Sequence, residues 1–164
     1  MQEAERRGTL EAARAALRER LARGDRGPEL LEDVCAILER AVSWYDWVGI
    51  YLVDGEELVL AAWSGPAATE HVRIPIGQGI CGAAALAGET IVVPDVREDP
   101  RYLQCFLSTR SEIVVPIRQG ERVLGEIDID SDRLAAFDED DREFLEWLAG
   151  ELAGRLAQGS AVAG

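Results

Sequence analysis

A cysteine, a glutamate and two aspartates stand out in one stretch of this chain: Cys105, Glu112, Asp128 and Asp130. Thr109 to Glu112 open an apolar run, Ile113 to Ile117. Gln119-Gly120 marks a tight turn, and Val123 to Ile129 returns toward Asp128-Ile129-Asp130-Ser131. β-Branched residues around a glycine-containing turn predict a β-hairpin. Strand side chains alternate faces, so Asp128 and Asp130 project from one side, and a Glu112 near them across the hairpin brings three carboxyls close to a thiol. Carboxyls clustered in this way raise one another's pKa, so that one stays protonated near neutrality and serves as a general acid.

A thiol beside acids is inert, a metal ligand or a redox nucleophile. No metal is expected: the sole histidine, His71, is distant in sequence, no C-x-x-C occurs, and carboxylates alone would make a hard oxygen site that does not need sulfur. Hydrolysis by a Cys-His pair has only His71 to draw on. Redox chemistry asks for less: an accessible thiolate, a second cysteine to resolve its first oxidised product, and an acid for the leaving oxygen. Cys105 and Cys81 offer the sulfurs, and the carboxyls the proton.

The elements that must position these groups are legible from periodicity and turn chemistry. Leu10 to Arg23 reads as a helix, broken by Gly24 to Gly27. Pro28 opens a second helix, whose Leu30, Leu31, Val34, Cys35, Leu38, Ala41 and Val42 share an apolar face, so Cys35 reads as core. Asp54-Gly55 joins the strands Trp47 to Val53 and Glu57 to Ser64 in a hairpin. Trp47, Gly49, Tyr51 and Val53 share one face of the first strand, and taken alone its large aromatics read as core. A short strand, Val72 to Ile76, precedes Gly77-Gln78-Gly79-Ile80-Cys81-Gly82 and the helix-like Ala83 to Ala87. This spells G-x-G-x-x-G, but the helix is short, the motif follows an antiparallel hairpin and no second βαβ unit comes after it, so the glycines read as a sharp strand-to-helix turn. Thr90 to Val93 is a strand, and Val96 to Ser108 an irregular segment long enough to suggest function. Asp138 caps a last helix with Phe144, Leu145, Leu148, Leu152 and Leu156 on its apolar stripe and Asp140 and Asp141 in its first turn.

The expected class is α+β: a central, largely antiparallel sheet with helices packed mainly on one face. The 164 residues, 48% hydrophobic and 29% charged, fit one domain, and no apolar run approaches the ~18 residues of a membrane span. No secretory signal is evident at the start, which together with the odd cysteine count predicts a cytoplasmic protein with reduced thiols. The net charge of −14 argues against nucleic acid or an anionic membrane as partner. Lysine is absent, which removes Schiff-base chemistry, and so is asparagine.

Several motifs occur together in a fixed order: Trp47-Val48-Gly49-Ile50-Tyr51, Arg73-Ile74-Pro75 through Gly79-Ile80-Cys81-Gly82, Val93-Pro94-Asp95-Val96, Ser111 through Pro116, Asp128 through Ser131, and Phe137-Asp138. On these, the segment from Pro28 to Leu156 resembles a GAF domain, and most resembles the free methionine-R-sulfoxide reductases of two-cysteine type. The resemblance implies a helical extension over 1–27, a GAF domain over 28–157 and a flexible tail over 158–164.

It further implies that Cys105 is the catalytic cysteine attacking the sulfoxide sulfur of free L-methionine-(R)-sulfoxide. Glu112, Asp128 and Asp130 then hold the substrate ammonium and assist at its oxygen, while Trp47 and Tyr51 wall the methyl-sulfur end, replacing the reading of those two as core. Cys81 matches a resolving cysteine, with thioredoxin as reductant and no bound cofactor. The helices from Leu10 to Trp44 suggest a homodimer. Three-cysteine members carry a cysteine where this chain has His71, the family commonly has Asp where this chain has Phe106, and the loop from Gly65 to Glu70 looks two residues longer than usual. The rival expectation is a non-catalytic GAF sensor of a small molecule. The Asn-Lys signature of cyclic-nucleotide sensors is absent, and His71 does not match the usual neighbour of a bilin-bearing cysteine.

Overall fold

The computed structural model describes residues 2–104 and 106–158. The chain runs α1 (Glu3–Leu21), α2 (Pro28–Ala41), β1 (Trp47–Asp54), β2 (Glu57–Ser64), β3 (Arg73–Pro75), α3 (Gly79–Ala87), β4 (Ile91–Val93), a 3-10 turn (Val96–Glu98), β5 (Ser111–Gln119), β6 (Arg122–Ser131) and α4 (Glu139–Gln158). The six strands form one sheet in the order β3-β2-β1-β6-β5-β4. Every neighbouring pair is antiparallel, and tight turns join β1 to β2 and β5 to β6.

The sheet separates two apolar layers because strand residues alternate faces. Val48, Ile50 and Leu52 of β1 and Ile127 and Ile129 of β6 join the larger core with α1, α2 and α4. Tyr51 and Val114 face the other way, onto Ile80 and Ala84 of α3. Three helices thus cover one face and one short helix the other, the α+β arrangement expected. Cys35 is fully buried on α2 within the larger core, and burial pushes its thiol pKa well up.

Helix α1 starts at Glu3, a full two turns before the Leu10 expected from its apolar residues. Tertiary contacts hold this polar first part: Arg6 pairs with Asp138 and Asp141 of the α4 region and lies 4.3 Å over the Trp44 ring. Farther along, Leu10, Ala13, Leu17 and Leu21 are buried inside the chain. A homodimer built on these helices would therefore use their outer, charged faces.

The glycine-rich segment makes the sharp turn expected of it. Gly77 and Gly79 have φ of +100° and +68°, a region that favours glycine, and a Cβ on Gly82 would stand 2.7 Å from the Pro75 carbonyl oxygen. Helix α3 begins at Gly79 rather than Ala83, which places Cys81 in its first turn. Asp138 caps α4 as expected, its Oδ1 accepting from the main-chain N–H groups of Asp140 and Asp141. Of the tail expected over 158–164, Gln158 instead belongs to α4, and 159–164 lie outside the described residues.

Candidate functional site

Strand β6 carries the site. It lies between β1 and β5, and Glu126, Asp128 and Asp130 project from its helix-poor face at alternate positions. On β1 they sit opposite Tyr51, Gly49 and Trp47, and on β5 opposite Pro116, Val114 and Glu112. The register therefore brings Glu112 directly against Asp130. Glu112 is hydrogen-bonded to both Asp128 and Asp130.

All four carboxyls are almost sealed from solvent, at 0% exposure for Glu126, 3% for Asp128 and Asp130, and 5% for Glu112. Oδ1 of Asp128 and Oδ1 of Asp130 have no hydrogen-bond partner, and among the described residues the Glu126 carboxyl is met by no N–H or O–H donor, only by the Cys81 thiol. Burial, reinforced by the Asp128 charge nearby, raises the pKa of Glu126 and Asp130, and burial raises Asp128 as well. The cluster thus retains protons in a range where exposed carboxyls have lost theirs.

Helix α3 delivers the thiol to this face. Cys81 is 7% exposed, and its Sγ, one oxygen of Glu112 and one of Asp128 all lie within 4.8 Å of one another. Desolvation pushes the Cys81 thiol far up, and the charges of Asp128, Glu126 and Glu112 push the same way. A small, partly open pocket of about 20 Å³ lies above these groups, with Tyr51, His71 and Leu103 among its walls.

Trp47 stands beside the pocket. Its ring stacks on Trp63 at 6.4 Å and meets Phe106 at 6.0 Å, while its Nε1–H donates to the Ala67 carbonyl. Gly49 makes that pose possible, because any Cβ there would run into the indole. Tyr51 donates its hydroxyl to the His71 carbonyl at 2.7 Å.

Of the residues expected to form a site, Tyr51, Cys81, Glu112 and Asp128 line one pocket, Asp130 adjoins it through Glu112, and Trp47 flanks it. The expectation for Cys105 falls outside the described residues. Its sequence neighbours are placed: the Gln104 carbonyl meets Nε2 of His71, and Phe106 meets Trp47. Sequence reasoning missed Glu126 and the contact made by His71. Glu126 shares the two-residue period of Asp128 and Asp130, and that was the available signal.

The GAF domain family model matches residues 27–156. The chain is 42% identical over 116 residues to GAF domain-containing protein A of Dictyostelium discoideum, covering 70% of this chain and 72% of that one. It is 32% identical over 127 residues to the free methionine-R-sulfoxide reductase of Escherichia coli, covering 77% and 76%. The X-ray structure of free methionine-R-sulfoxide reductase from Neisseria meningitidis in complex with its substrate superposes with a TM-score of 0.81 at 40% identity, covering 90% of each chain. The chain belongs to the GAF domain family, among relatives that include the free methionine-R-sulfoxide reductases.

Proposed function

We propose that this chain reduces free L-methionine-(R)-sulfoxide to methionine with its own thiols. The observation that carries this reading is the pocket shared by Tyr51, Cys81, Glu112 and Asp128. It joins an aromatic wall, a thiol and acidic groups, and among the described residues no arginine lines it. Such a surface suits a small zwitterion whose ammonium meets carboxylates and whose thioether end meets an aromatic ring.

Cys105, as thiolate, attacks the sulfoxide sulfur. A proton held among Glu112, Asp128 and Asp130 goes to the sulfoxide oxygen, methionine leaves, and the oxygen stays on Cys105 as a sulfenic acid. The Cys81 thiol then attacks that sulfur, forming a Cys81–Cys105 disulfide and releasing water. Thioredoxin reduces the disulfide to two thiols. The raised pKa of Cys81 keeps it out of the first attack, and for resolution it must first pass its proton to a neighbouring carboxylate such as Asp128, so that the thiolate attacks Cys105 and the proton leaves with the hydroxyl as water.

The test is an NADPH-coupled thioredoxin assay on resolved sulfoxides. Consumption of the R epimer alone, lost in Cys105→Ser, is the expected result, with the Cys81–Cys105 disulfide found by peptide mass mapping after one turnover. Equal activity in wild type and Cys105→Ser would end the proposal.

A further inference from the structure

We infer that Cys81, Glu112 and Asp128 form a binding site for a thiophilic divalent cation of the zinc class, which switches the pocket off by occupying its carboxyls and its thiol. The three donors are buried and converge within 4.8 Å from three elements, α3, β5 and β6. Around a tetrahedral zinc ion, oxygen and sulfur ligands at ~2.0–2.3 Å lie roughly 3.3–3.6 Å apart. A small adjustment of side chains therefore closes the set on an ion. No short ligand spacing marks the set, because Cys81, Glu112 and Asp128 are widely separated along the chain.

A second observation points to a cation independently of this convergence. Oδ1 of Asp128 is buried without a partner, and so is Oδ1 of Asp130, while the sealed Glu126 carboxyl beside them is met by the Cys81 thiol. Buried acidic oxygens left unpaired cost free energy that a bound cation recovers. Sulfur in the donor set selects zinc or cobalt over magnesium or calcium, which need more oxygen ligands than the three residues supply. The pocket leaves the fourth position to water. Binding is ligand exchange with no redox change: the Cys81 S–H proton is released and the thiolate joins the ion.

The inference shares Glu112 and Asp128 with the proposed substrate site, yet it is tested without turnover. Reduced, metal-free protein is titrated anaerobically with Co²⁺, and the thiolate-to-cobalt charge-transfer band is followed. Wild type and Cys105→Ser are expected to develop the band at one equivalent, and Cys81→Ser to lose it. Asp128→Asn and Glu112→Gln, each checked for folding by circular dichroism, are expected to weaken binding by at least the about 10–100-fold seen on removing an outer-shell partner of a metal site. Zn²⁺ should displace the cobalt, and a chelator should reverse both. A band that survives Cys81→Ser, or is lost in Cys105→Ser, assigns the sulfur to Cys105 and overturns the site. So does folded wild-type protein that gives no band. If the band behaves as expected while no sulfoxide is reduced, the metal site stands and the reductase reading fails.

Discussion

Nε2 of His71 lies 3.1 Å from the main-chain oxygen of Gln104, the residue before Cys105 in the chain. A carbonyl oxygen only accepts, so the imidazole donates. The His71 carbonyl in turn accepts the hydroxyl of Tyr51, a wall of the same pocket. One residue thus ties the rigid β1 strand to the segment that carries Cys105, while Phe106 on the other side of that cysteine rests against Trp47. His71→Ala removes one net hydrogen bond of about 1 kcal/mol, and a loss of about fivefold in kcat/KM for the sulfoxide is expected, borne mostly by KM. Iodoacetamide labelling of Cys105 should quicken in the same variant. His71→Gln, which keeps a side-chain N–H, should restore part of both effects, and unchanged labelling and kinetics in His71→Ala would remove the tether.

Glu126 is the second testable residue. A carboxyl at 0% exposure met only by a weak thiol donor is costly for folding, so Glu126→Leu, which fits a strand between apolar neighbours, should stabilise the protein by about 1–3 kcal/mol. Thermal melting of wild type and variant at pH 7 checks this, and a lower melting temperature for the variant would contradict it. If Glu126 supports the chemistry of Cys81, the gain in stability will come with slower formation of the Cys81–Cys105 disulfide.

Glu126 also shows where the sequence stops being legible. Every strand was readable, because turn residues such as Asp54-Gly55 and β-branched runs report local geometry that tertiary packing did not override. The pairing of Glu112 with the β6 acids followed from hairpin logic, and β5 and β6 hold that register. Glu126 differs from Asp128 only in standing beside Gly125 nearer the turn, and its burial depends on α3 crossing that end of the sheet, a tertiary event with no local signature. Asp141 lies in the first turn as expected, but its further role was hidden for the same reason. By sequence it is one of two first-turn acids favoured by the helix dipole; in the fold it is fully buried and accepts from Trp44 Nε1, the Tyr45 hydroxyl, Arg6 and the Asp138 amide.

That network makes Asp141 a stability determinant. Four donors converge on one sealed carboxylate, so Asp141→Ala leaves an indole N–H, a phenol and a guanidinium without their shared acceptor. Breaking a buried charged pair from one side costs about 3–5 kcal/mol. Urea unfolding should show a loss of that order, whereas Asp140→Ala, on the exposed side of the same turn, should cost less than about 1 kcal/mol. Equal losses in the two variants would place the effect in the helix dipole instead.

The link between α1 and α2 supplies a pH test away from the pocket. Arg20 on α1 binds Asp25 through both terminal nitrogens, at 2.7 and 2.9 Å, and Asp33 of α2 through Nε at 2.7 Å. The Arg20 guanidinium holds the Asp25 carboxyl down to about 2 in the folded protein. An aspartate in the unfolded chain titrates near ~3.9. The folded state therefore binds fewer protons between these values. The stabilisation is complete above the unfolded pKa and is lost as pH falls toward 2. Melting temperatures of wild type and Asp25→Asn measured from pH 6 to pH 2 should differ by a constant amount down to about pH 4 and converge below it. A difference that stays constant across the whole series would mean that Asp25 acts by hydrogen bonding alone, without its charge.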